Sequence, residues 1–169
     1  MYMVEKDYVI PPDTKIKQKA LFNLTEMYMM MYYWFDRHGY DLNEKEYIDK
    51  TTASGKEIHI KWVSERKVTD YIKFVVEIGF FVYGLNEVEV EEGNRKFKMD
   101  KGDLEMRFRA YILKDYEGRW EKPFLKFLRE VYDKYIFGSK LELYEDDLYE
   151  EAYLLMDEVK AFLNLHRFT

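Results

Sequence analysis

The chain contains no cysteine, which removes disulfides, thiolate metal ligands and a cysteine nucleophile at once. Its three serines, Ser54, Ser64 and Ser139, lie outside any nucleophile-elbow sequence. Histidine is also scarce: His38, His59 and His166 fall in separate elements, and no pair has metal-ligand spacing. The eight glycines punctuate turns and form neither a Gly-x-Gly-x-x-Gly fingerprint nor a phosphate-binding loop. No uncharged run approaches the roughly 18 to 20 residues of a membrane span. The opening residues Met1 to Tyr8 lack a basic stretch followed by an apolar one. These gaps point to a cytoplasmic protein without metal or cofactor. They leave no catalytic signature, and the expectation is a protein that is not an enzyme.

What remains is apolar, aromatic and charged in unusual proportion. The 169 residues are 47% hydrophobic, 18% aromatic and 36% charged, the composition of a folded chain with a solvated charged surface. The length suits one domain over residues 1–169, large enough to bury a core without staples. Abundant Lys, Glu and Tyr beside a lone glutamine, Gln18, match the bias of proteins from hot environments. A net charge of -6 weighs against bulk nucleic-acid binding, though a local basic patch can survive on an acidic chain.

Pro11-Pro12 closes an extended tail over residues 1–12, after which Asp13 or Thr14 can cap a long first helix to about His38, with Gly39 as its stop. Beyond Asn43 the pattern turns to period two. A short strand near Glu46 to Thr52 turns at Ala53-Ser54-Gly55 into a second with Ile58, Ile60 and Trp62 on one face. A strand from Asp70 to Tyr83 buries Ile72, Phe74, Val76, Ile78, Phe80 and Val82. Turn residues then separate Val88 to Glu91, Arg95 to Met99 and a long strand from Asp103 to Leu113, whose Leu104, Met106, Phe108, Ala110 and Ile112 share a face. Pro123 opens a second helix with the stripe Phe124, Phe127, Leu128, Val131 and Tyr135, stopped by Gly138. A third, about Tyr144 to Asn164, carries Leu148, Ala152, Leu155, Val159 and Phe162. Its acids Glu145, Asp146 and Asp147 suit the positive end of a helix better than a cation site.

The expected fold is therefore α+β: a long N-terminal helix, an antiparallel meander of about five to six strands, and two C-terminal helices packed on the sheet's apolar face.

The run Met27 to Phe35 has no purely polar side chain, so a helix there needs cover on more than one side. Met27, Met31 and Trp34 face one way. A second stripe, Phe22, Met29 and Tyr33 flanked by Met30 and Tyr32, faces another. It is the candidate interface for a homodimer or a protein partner, since Met and Tyr are favoured at interfaces. A small apolar ligand is the alternative occupant, in a cavity lined by Met27, Met31, Trp34, Phe74, Val76 and Phe108. The far side of the sheet mixes His59, Lys61, Lys73, Arg107, Arg109 and Tyr111, and cations interleaved with aromatics can hold RNA or a ribosomal surface. Glu77 and Glu105 interrupt that patch, and cross-strand ion pairs account for the same residues.

The segments Phe22 to Tyr28, Lys45-Glu46-Tyr47, Lys61-Trp62, Asp115-Tyr116 with Arg119-Trp120-Glu121, and Val131 to Lys134 resemble an uncharacterised family of small archaeal proteins. The resemblance implies an archaeal cytoplasmic setting and carries no activity. A sheet alternating with a long helix also resembles helix-grip lipid carriers, from which this order departs by its leading helix and its two closing helices. The functional expectation is a binding or assembly protein, self-associating or docking a protein partner. A carrier of an apolar ligand and an RNA-associated factor stand as alternatives.

Overall fold

A computed structural model describes residues 5–120 and 122–165. The first element is a strand, β1 (Lys6–Phe22), followed by helix α1 (Leu24–Arg37) and the strands β2 (Asp41–Thr52), β3 (Gly55–Lys67), β4 (Ile72–Glu92) and β5 (Arg95–Lys114). Helix α2 (Pro123–Tyr132), a π-helical turn (Asp133–Phe137) and helix α3 (Gly138–Asn164) close the chain. The sheet is antiparallel throughout, in the order β1-β5-β4-β3-β2.

The long N-terminal helix is corrected to strand, then helix. Lys15, Lys17 and Lys19 alternate with Ile16, Gln18 and Ala20 and pair with β5 from Arg107 to Asp103. That is period two, half-buried, at a sheet edge where lysine and the prolines Pro11 and Pro12 discourage further pairing. The expected tail from Lys6 to Pro12 is thus ladder, not overhang; residues 1–4 lie outside the described residues. The helix cap is Asn23, whose side chain accepts from the Glu26 amide at 3.0 Å. Asp100 on β5 accepts from the Leu24 amide at 3.0 Å, which fixes the helix start to the sheet. Gly39 does stop α1, at φ 73.

The meander supplies four strands and β1 the fifth, so the strand count also differs. Gly84 and Gly102 do not end strands. Gly84 sits at φ 62 beside a register shift between Tyr83 and Asn86, a bulge that bends β4 and lets it run on to Glu92. With a strand in first place, the leading helix that set the chain apart from helix-grip carriers is gone.

The even face of β4, Ile72 to Val82, and the matching face of β5, Leu104 to Ile112, are buried as the alternation predicts. Met27, Met31, Trp34 and Phe35 of α1 and Leu148, Ala152, Leu155, Met156, Val159 and Leu163 of α3 join them in one cluster. The two-layer core therefore lies between the sheet and the pair α1 and α3. Glu151 links the layers: it accepts from Tyr40 Oη at 2.6 Å and from Arg66 Nη2 at 2.9 Å.

The C-terminal half needs two corrections. Gly138 does not stop a helix; its φ of -52 and ψ of -46 are helical, and it opens α3. Nor does α2 lay its stripe on the sheet, because none of its residues is fully buried.

Candidate protein interface

The outward stripe of α2 begins with how the preceding loop is held. Asp115 takes a left-handed conformation, φ 49, and its carboxylate accepts from the amides of Arg119 at 2.9 Å and Trp120 at 3.1 Å. Lys122 is extended and Pro123 stands in the first turn, where its fixed φ and missing N–H cost nothing.

The inward side of α2 is polar and aromatic. Arg129 Nε donates to Tyr71 Oη at 3.1 Å, and Tyr71 Oη donates to Asp133 Oδ1 at 2.8 Å. Burial, then the Asp133 carboxylate, push the Tyr71 phenol well above its ordinary pKa, so it stays a donor. Trp120, Tyr132, Phe137 and Tyr144 stack in succession, with centroids 6.1, 5.8 and 6.1 Å apart. Tyr71 belongs to this cluster as well and meets Phe137 edge-on at 5.5 Å.

The π turn decides which side of α2 points in. Carried backward at 3.6 residues per turn from Leu155, Ala152, Leu148 and Phe137, an unbroken α-helix would turn the charged Glu130 and Lys126 toward the body. A π turn inserts one extra residue. Asp133, Tyr132 and Arg129 take the inward places instead, which spares Glu130 and Lys126 from burial, and the apolar stripe lies on the solvent side. Phe124 is 71% exposed, Phe127 61%, Tyr135 73% and Ile136 62%. Leu143, one turn into α3, is 64% exposed. Burying one such side chain is worth about 1.5 to 3 kcal/mol, and a contiguous apolar patch on an otherwise charged surface marks an interaction site.

The interface residues named from sequence are split. Phe22 is fully buried in β1, so it is core and not a neighbour of Met29. Met29, Tyr32 and Tyr33 are exposed on α1 at 38%, 42% and 50%, and Met30 is partly buried. They form a second, smaller patch.

The cavity residues are brought together but packed solid. Met27, Met31, Trp34, Phe74, Val76 and Phe108 are all buried in the one cluster. The recess between α1 and the sheet, bounded by Tyr28, Met31, Ile60, Trp62, Ile78 and Phe80, measures about 10 Å³, the lower limit for a single water.

On the open sheet face each named cation has a carboxylate beside it. Lys61 lies 3.1 Å from Glu46, Lys73 3.0 Å from Glu65, Arg107 2.7 Å from Glu105 and Arg109 3.3 Å from Glu77. His59 lies 2.9 Å from Glu57. Tyr111 donates to Glu77 at 2.8 Å, and burial followed by that carboxylate raises its pKa. Three of these pairs, at Lys61, Lys73 and Arg109, cross strands in the way the ion-pair alternative to RNA binding describes, while those of Arg107 and His59 lie within one strand.

Four phenol-to-carboxylate bonds escaped sequence reasoning: Tyr28 to Glu44 at 2.7 Å, and those of Tyr40, Tyr71 and Tyr111. No spacing rule joins Tyr40 to Glu151 across the chain. Among the described residues no group of three or more His, Asp or Glu is placed to hold a metal ion, and no helix is long and apolar enough to cross a membrane. No protein-family model matches the chain, no curated protein is similar to it, and no solved structure matches it.

Proposed function

We propose that this chain is a binding or assembly protein without catalytic activity, which docks a protein partner on the outward face of α2 and the π turn. The observation that carries the reading is the row Phe124, Phe127, Tyr135, Ile136 and Leu143, each more than 60% exposed on a helix whose other side is anchored. Aromatic side chains in such a row are the usual anchors of protein interfaces. The smaller Met29, Tyr32 and Tyr33 patch on α1 is the second place to look. Filling of the space between α1 and the sheet argues against a ligand carrier, and the ion-paired cations argue against RNA.

The test places p-benzoylphenylalanine at Phe127 of the full chain and irradiates intact cells that produce it. The reading expects a covalent adduct to a protein. Adducts to lipid only, or none, contradict it.

A further inference from the structure

We infer that the protein seated on α2 is a second copy of this chain, its helical arm crossing the first antiparallel about a two-fold axis. The inference rests on the reading of α2 as a protein-docking face and adds the identity of the occupant.

Charge along the arm identifies the occupant. From Lys122 to Lys140 the exposed ionic residues are Lys122, Lys126, Lys134 and Lys140 against the single carboxylate Glu130. From Leu141 to Val159 the exposed ionic residues are Glu142, Asp146, Asp147, Glu150, Asp157 and Glu158, with no lysine or arginine among them. The two halves run on as one helical arm through the π turn. A two-fold contact brings each patch onto its complement and satisfies both copies with the same residues. Antiparallel pairing is the orientation that lays basic α2 along the acidic half of its partner; parallel pairing would stack like charges.

Apolar residues follow the same geometry. The outer line of α3 interrupts its acids with Leu143 and Leu154, 64% and 56% exposed, eleven residues or about three turns apart. They offer partner positions for Phe124, Phe127 and Tyr135. The exposed parts of Phe124, Phe127, Tyr135, Ile136 and Leu143 come to on the order of 600 Å² per copy. A standard interface takes about 800 Å² from each partner, a difference the flanking Lys and Glu stems can make up. A bilayer surface would also accept an apolar helix with lysines. It would gain nothing from the acidic half that follows without a break.

The experiment is sedimentation equilibrium of the full chain and two charge reversals, Lys126→Glu with Lys134→Glu, and Asp147→Lys with Glu150→Lys, all at exposed positions. The native chain is expected to be a dimer that weakens as salt is raised. Each reversed protein alone should be a monomer, and an equimolar mixture should recover a dimer. That recovery also shows that both variants are folded. A monomeric native chain, a dimer indifferent to both reversals, or a mixture that stays monomeric overturns the second copy. The benzoylphenylalanine adduct separates the two ideas. An adduct of twice the chain mass supports both, one to a different protein keeps the docking face and rejects self-pairing, and lipid adducts reject both.

Discussion

Helices α2 and α3 belong to one arm and show similar apolar stripes in sequence, yet α3 buries Leu148, Leu155 and Val159 completely while α2 buries none of its residues. The stripe of α3 lies against β1, β5 and α1; that of α2 faces water, on the side of the helix away from Arg129, Tyr132 and Asp133. Amphipathicity says that a face wants cover. It does not say whose cover it is, and here the same signal means core in one half and an uncovered face in the other.

Truncation separates the halves most sharply. Leu155→Ala should cost about 2 to 5 kcal/mol of folding stability, the price of a cavity in a closed core. Phe127→Ala should change monomer stability by no more than about 0.5 kcal/mol. Urea titrations at concentrations low enough to keep the chain monomeric measure both, and equal losses would erase the distinction.

Next comes the bond set that holds α3 down. Glu151→Ala strands the buried Tyr40 hydroxyl and leaves the Arg66 guanidinium without its carboxylate, an expected loss of about 1 to 3 kcal/mol. Alanine at the exposed Glu150, one residue away, is the control and should leave the thermal midpoint in place when both proteins are measured dilute enough to be monomeric. A comparable fall for Glu150→Ala would show that α3 is not held at that point.

Alkaline pH probes both halves together. Tyr40 and Tyr71 have pKa values raised first by burial and then by a carboxylate, the one on α3 and the other on the π turn. Tyr28 is pushed up to about 12 for the same reasons, with Glu44 as its partner. A raised phenol keeps its proton in the folded state while the unfolded chain ionises. Its contribution to stability is therefore complete below an ordinary tyrosine pKa of about 10 and is lost as pH climbs through the raised values. Ultraviolet titration should show these phenols ionising after the exposed ones, together with unfolding. Ionisation of all tyrosines in one step near pH 10 would contradict the bonds.

The smallest effect lies on the open sheet face, remote from both helices. Arg107, then Lys17, hold the Glu105 carboxyl below its ordinary range. The stability this lends is present above the unfolded pKa and fades as pH falls through the lowered one. Arg107→Ala should move the acid-unfolding midpoint slightly upward in pH and leave any self-association through α2 unaffected.

Much of the sheet was legible in sequence because alternation is a strong signal: Ile72 to Val82 and Leu104 to Ile112 face the core as read. The seventeen residues of β1, Lys6 to Phe22, were not, because Lys15 to Phe22 fits a helical wheel nearly as well as a pleat, and only pairing with β5 separates the two. Phe22 was misplaced with them. The π turn was invisible, since Asp133 to Phe137 has no local mark and the shift follows from seating Tyr132, Phe137 and the Asp133 carboxylate at once. The candidate site moved from α1, where unbroken apolar sequence drew attention, to a stripe that had been assigned to the core and is exposed.

Sedimentation equilibrium of the full chain at high micromolar concentration, beside Phe127→Asp, tests the central claim most directly. The native chain should run as a dimer and the variant as a folded monomer with an unchanged circular dichroism spectrum. A native monomer, or a dimer that keeps its affinity with aspartate at position 127, would contradict it.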